Sequence, residues 1–142
     1  MTKLQVKRLC DNAKLPTRAH NGDAGMDVYA VDNFTIPARG AYCHDVCLST
    51  KFDNDHVLLV YNKSGRAVKN ALSKGAEVID SSYRGSIHVH LFNHSDEDVH
   101  ITVGEKIAQV LLLPVWNGEP EEVDTLDETD RGTGGFGSSG LK

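Results

Sequence analysis

Alternating apolar and polar residues over most of the chain, turn-forming residues at short intervals and a single stretch of helical spacing predict an all-β sandwich or barrel. It carries one short helix and a glycine-rich, flexible C-terminal arm. Period two runs through residues 4–9, 26–31, 43–49, 57–61, 86–92, 99–103 and 107–113, so each reads as a half-buried strand. Asn21-Gly22-Asp23, the stretch 37–40, the stretch 53–55, Arg84-Gly85 and the stretch 93–98 supply the turns between them. Between residues 64 and 74, Ala67, Val68, Ala71 and Leu72 recur at helical spacing with Lys69 and Lys74 on other faces, which predicts the one helix. Cys43, Asp45 and Cys47 would share one side of their strand, with the cysteines as small core residues. Trp116, after Pro114, would cover the core's edge or a subunit contact.

The 142 residues amount to one domain, with a core over about 1–123 and an acidic linker and arm over about 124–142. With 39% hydrophobic and 25% charged residues the chain is expected to fold. Its net charge of -5 gives no general basic field, so sequence-independent nucleic-acid binding is not expected. Seven acids and no Lys or Arg lie between Glu119 and Asp130, which leaves the body mildly basic and open to small anionic substrates. No apolar run suits a membrane span or a signal peptide. Three cysteines, Cys10, Cys43 and Cys47, read as reduced thiols, so a soluble, cytoplasmic protein is expected.

Three clusters carry candidate chemistry. The tail fits G-x-G-x-x-G at Gly132, Gly134 and Gly137, but no strand precedes it and no helix can follow, so a dinucleotide fingerprint is excluded. What remains is either a linker or a strip of backbone N–H donors, with Arg131 to pair charge and Phe136 to stack, suited to closing over a base and its phosphates. In Val78-Ile79-Asp80-Ser81-Ser82-Tyr83-Arg84-Gly85, read as a hairpin, Asp80 is either a surface turn residue or a general base beside a water, with Tyr83 as a pocket wall. In Asn62-Lys63-Ser64-Gly65-Arg66, Ser64 is either a helix N-cap or, with the two cations, part of a phosphate site.

With Ala24-Gly25-Met26-Asp27 and Gly104-Glu105-Lys106-Ile107-Ala108-Gln109, these clusters follow the order of five short motifs, and the sequence resembles the trimeric dUTPase family over nearly its full length. The resemblance implies a β jelly-roll subunit in a homotrimer, with active sites shared between subunits and closed by the arm. It implies hydrolysis of dUTP to dUMP and pyrophosphate, which lowers dUTP and supplies dUMP for thymidylate synthesis. In that reading Asp80 activates the water that attacks the α-phosphorus. The segment 75–83, with Val78 and Ile79, reads uracil, and Tyr83 lies under the deoxyribose and excludes a 2′-hydroxyl. Lys63, Ser64, Gly65, Arg66 and Gln109 lie at the phosphates, Arg131 engages the γ-phosphate, Phe136 stacks on the base, and Gly137, Ser138 and Ser139 complete the lid. Asp27 organises sugar and metal, meeting Mg²⁺ through water while the triphosphate holds most of the ion.

The chain departs from the family pattern at Asn62-Lys63 where Pro-Arg is common, at Arg66 where an apolar residue is common, and at Glu77 where Gly is usual. Two other functions are weighed. In the related dCTP deaminases a catalytic Glu stands where this chain has His90, which disfavours deamination. A dUTP-binding sensor whose arm orders on nucleotide is the other, against which the retained Asp80 argues. A zinc site at His88, His90, His94 and His100 lacks a Cys or acidic partner at suitable spacing.

Overall fold

The computed structural model describes residues 3–135 and Ser138. The strands are Gln5–Arg8 (β1), Met26–Tyr29 (β2), Phe34–Ile36 (β3), Ala41–Asp45 (β4), Leu48–Lys51 (β5) and His56–Asn62 (β6). After the helix Ser64–Asn70 (α1) come Leu72–Lys74 (β7), Val78–Ile79 (β8), His88–Asn93 (β9), Val99–Ile101 (β10) and Lys106–Pro114 (β11). Antiparallel pairing joins them into sheets ordered β2-β11-β6-β8, β4-β9-β7, β1-β5 and β10-β3.

Alternation decides which face is buried. On β9, Val89 and Leu91 point inward while His88 and Phe92 are exposed, and β10 repeats the pattern with Val99 and Ile101 around exposed His100. Ile36, Leu48, Leu58, Ile101, Ile107 and Val110 are among the fully buried side chains. Each contributes about 2 kcal/mol of burial before the entropy cost of ordering it. No residue beyond Val110 is buried among those described. Among the described residues no helix is long and apolar enough to cross a membrane.

Several elements differ from the sequence expectation. The run 43–49 is two strands, because Cys47 adopts a left-handed φ of 53° and its N–H is held by the Asp45 carboxylate at 2.7 Å. That corner sends β4 to β9 and β5 to β1. Cys43 and Cys47 therefore lie on no common strand face; Cys43 is exposed, and Cys47 is only half-buried. A hydrogen bond with the Cys10 thiol, reinforced by burial, pushes Cys47 up to about 12, so it stays a protonated thiol.

The helix ends at Asn70, since Ala71 turns left-handed with φ 51° and donates its N–H to the Arg66 carbonyl. Leu72, which fits a helical stripe equally well, is buried instead on strand β7 against β9. Strand β3, three residues long, is too short for its alternation to register in the sequence. The segment after Ile79 does not close a hydrogen-bonded hairpin: β8 pairs with β6 and β9 with β4 and β7, so residues 80–87 cross between sheets. Trp116 is 74% exposed and covers no core edge among the described residues.

Candidate active site

The register of the central sheet gathers one set of candidate residues. Gln109 on β11 lies opposite Asp27 on β2 and opposite Tyr61 on β6, one residue before Asn62 and two before Lys63. Gln109 Nε2 donates to the Asn62 carbonyl at 2.9 Å, and its amide packs on Gly25, where a Cβ would overlap Oε1. A larger residue at 25 would therefore push the end of the Gln109 side chain out of its place across the ladder.

Asp27 is buried, and both its oxygens are occupied. Lys63 Nζ lies 2.7 Å from Oδ1 and Lys106 Nζ 2.6 Å from Oδ2. Burial alone would raise the Asp27 pKa, but hydrogen bonds from Lys106 and Lys63 outweigh it and hold the carboxyl below its usual range. The same contact raises Lys106. A dication placed directly on this carboxylate would oppose two ammonium groups, so both oxygens of Asp27 are committed to Lys63 and Lys106 rather than to direct metal ligation. Among the described residues no three His, Cys, Asp or Glu side chains converge on a metal position.

Beside this pair a cleft of about 500 Å³ is lined by Lys63, Gly65, Arg66, Lys69, Glu105 and Lys106. Its cations outnumber its one carboxylate, so it favours an anion. Ser64 and Gly65 are exposed at the start of α1, and Ser64 is the first helical residue, not the cap; the cap position is Lys63, with no side-chain capping bond. Arg66 is engaged elsewhere than at an open phosphate position. Its guanidinium donates to the Lys106 carbonyl and to Asn70 Oδ1, each at 3.3 Å, and pairs with Glu105 at 2.8 Å. The Thr102 N–H and Arg66 overcome burial to hold Glu105 below the usual carboxylate range. Glu77, unusual for the motif, pairs with Lys74, whose ammonium also lies 5.5 Å from the Tyr61 ring centre.

The second set of residues lies at the other end of β6. Ile79 pairs with Leu58 and Val78 with Leu59, so Asp80 continues past Leu58, away from Lys63. Six residues of strand separate the two levels, about 20 Å at ~3.3 Å per residue. Val78 and Asp80 are exposed, and Ile79 is buried. The turn is fixed by Tyr83 N–H donating to the Asp80 carbonyl at 3.1 Å and by Arg84, which donates to the carbonyls of Ser81 and Thr50. Tyr83 is exposed with its ring over Gly85. His90, at the base of the 75–83 segment, lies against Gly75 and stacks edge-on with Phe92 at 4.6 Å.

Arg131 is exposed, and its Nε donates to the Gly134 carbonyl at 2.9 Å. Ser138 is exposed, and Phe136, Gly137 and Ser139 lie outside the described residues. Sequence reasoning singled out Asp27, Lys63 and Gln109, which the fold brings together, but missed Lys106 and the packing role of Gly25. The signal for Lys106 was its position at the head of the strand that carries Gln109.

Comparison with known proteins bears on the family and the fold. The dUTPase family model matches residues 11–140. The deoxyuridine 5'-triphosphate nucleotidohydrolase of Yarrowia lipolytica is 45% identical over 140 residues, covering 97% of this chain and 89% of the relative. That of Clostridium acetobutylicum is 38% identical, covering 100% and 99%. Among solved structures, the Staphylococcus bacteriophage 80alpha dUTPase with dUpNHpp superposes with a TM-score of 0.92 at 27% identity, covering 98% of this chain and 99% of the phage chain. A mutant dUTPase of S. aureus phage phi11, described with a structural Mg(II) ion, superposes with a TM-score of 0.81 at 22% identity, covering 87% and 97%. The fold is the all-β dUTPase jelly roll, and the chain belongs to the dUTPase family.

Proposed function

We infer that the chain hydrolyses dUTP to dUMP and pyrophosphate, as a dUTP diphosphatase rather than a deaminase or a non-catalytic sensor. Water attacks the α-phosphorus, its proton passes to the Asp80 carboxylate, the bond from that phosphorus to the bridging oxygen breaks, and pyrophosphate leaves. Lys63, Ser64, Gly65 and Gln109 receive the phosphates, Val78, Ile79 and the segment 75–83 the base, and Tyr83 the sugar. Arg131, Phe136, Gly137, Ser138 and Ser139 close over the nucleotide. Arg66 acts by bracing α1 against Glu105, and Asp27 by aiming Lys63 and Lys106. Mg²⁺ rides on the triphosphate as part of the substrate, neutralising its charge. A cytosolic setting belongs to the same reading, supported by free thiols at Cys10, Cys43 and Cys47.

The observation that carries the mechanism is the separation of Asp80 from the Lys63 and Gln109 cluster along β6. Measured along β6, the base lies about 20 Å from the level of Lys63 and about 13 Å from that of Gln109, too far for all three to act on one triphosphate within one subunit. A homotrimer, in which the Asp80 turn of one subunit meets the phosphate grip of another, removes that difficulty. Two measurements test this. Asp80→Asn is expected to abolish pyrophosphate release while retaining binding of a non-hydrolysable dUTP analogue, and equal loss of both would refute its role as base. Mixing Asp80→Asn subunits with Gln109→Ala subunits should restore activity neither has alone, and no recovery in mixed oligomers counts against shared sites.

A further inference from the structure

Tyr83 is held from two sides. Its ring lies over Gly85, where an added Cβ would overlap the phenol carbons, and its hydroxyl donates to the Ser86 carbonyl at 3.0 Å. Ser86 is itself tied across the fold, because its hydroxyl donates to Asp45 Oδ1 at the end of β4. That oxygen also accepts the Cys47 N–H at 2.7 Å, which fixes the carboxylate against the left-handed corner between β4 and β5. His88 completes the group, with Nδ1 3.0 Å from the Ser86 carbonyl and Nε2 3.8 Å from Asp45 Oδ2. Burial would raise Asp45, but the Ser86 hydroxyl and the Cys47 N–H outweigh it, so the acceptor is a carboxylate at neutral pH.

We propose that Asp45 and Ser86 are positioning residues that set the pose of Tyr83 and thereby the enzyme's preference for deoxyribose over ribose triphosphates. The inference rests on Tyr83 being the wall that faces the sugar. Rejecting one extra hydroxyl requires a wall fixed to a fraction of an ångström, because a ring that swings aside admits the oxygen. With its own hydroxyl committed to the Ser86 carbonyl, Tyr83 also offers a ribose 2′-hydroxyl ring carbons and no partner. The backbone of the turn has a separate brace. Arg84 Nη1 donates to the Ser81 carbonyl at 2.6 Å, and Ser49 Oγ donates to the Arg84 carbonyl at 2.8 Å. Loss of the Asp45 tether therefore loosens the phenol and Ser86 while Arg84 retains the turn.

The test is the ratio of kcat/KM for dUTP to kcat/KM for UTP in the full-length protein and in Ser86→Ala, Asp45→Ala, Asp45→Asn and Tyr83→Ala. Ser86→Ala and Asp45→Ala are expected to lower the ratio about tenfold, chiefly by admitting UTP. Asp45→Asn keeps an oxygen acceptor for Ser86 and Cys47 and should retain most of the selectivity. Tyr83→Ala should lose more than either. If Tyr83→Ala lowers the ratio while Ser86→Ala and Asp45→Ala leave it unchanged, or lower both substrates equally, the positioning role is overturned and the Tyr83 reading stands. An unchanged ratio in Tyr83→Ala overturns both. Should Asp45→Ala fail to fold, Ser86→Ala alone decides the outcome.

Discussion

Gly25 and Gln109 interlock across the β2-β11 ladder: the Gln109 amide fills the space that any Cβ at position 25 would need. The fit links a loop glycine to a phosphate-facing side chain. Gly25→Ala is expected to displace Gln109 from the Asn62 carbonyl and raise KM for dUTP about tenfold, equivalent to about 1.4 kcal/mol. Steady-state kinetics check it, and an unchanged KM would show that Gln109 does not serve the triphosphate.

Asp27 is the counter-charge for two lysines. Its removal in Asp27→Asn should cost about 2 kcal/mol at neutral pH, less than for a fully buried pair because both ammonium groups reach solvent. The folded carboxyl titrates below its usual 3.8. The stabilisation is therefore complete above that value and is lost as pH falls through the depressed folded pKa. Denaturant melts should show wild type and Asp27→Asn separated at about pH 7 and converging as the pH falls through the depressed folded pKa. A gap that persists in acid would mean that packing, not charge, is responsible.

His44 sets a second pH response. It is buried, its Nε2 accepts the Val31 N–H at 3.1 Å, and its ring stacks on Phe34 at 4.3 Å. Burial holds its pKa below the usual 6.5 against the upward pull of Asp32 and Asp45. The unfolded chain thus takes the proton first, so this contribution is complete above about pH 6.5 and declines as pH falls. In His44→Gln, stability between about pH 6.5 and pH 5 should fall less steeply than in wild type, by at most ~1.4 kcal/mol per pH unit. Thermal melts across that window provide the comparison; identical slopes would contradict it.

Among the described residues of the arm the bonds are internal: Arg131 donates to the Gly134 carbonyl, and Gly132 N–H to the Thr129 carbonyl. Deleting residues 131–142 should shift the melting temperature by less than about 2 °C. Turnover of dUTP should fall on the order of 100-fold through loss of the lid's donors. Retained turnover would remove the arm from the catalytic cycle.

Much of the architecture was legible because burial on one side imposes alternation, as in Val89, Leu91, Val99 and Ile101. What stayed hidden has local causes. The corner at Cys47 bends at a residue with no compositional mark of a turn, and Leu72 satisfies both periods. Within the site, Asp27, Lys63 and Gln109 were legible as motif residues. Lys106 and the Asp45–Ser86 tether were not, because each contact depends on a strand pairing, β2 with β11 or β4 with β9, whose register is set by the whole sheet and not by local spacing.

The left-handed Ala71 at the end of α1 has an implication for improving the protein. An L-residue in that conformation is strained by about 1 kcal/mol where glycine is at ease, although glycine gives back part of the advantage through its looser unfolded chain. The position lies at the opposite end of the helix from Ser64, and its carbonyl already receives the His94 N–H. An engineer seeking a heat-tolerant biocatalyst has an adjustable hinge there, at the end of the helix whose start lines the cationic cleft.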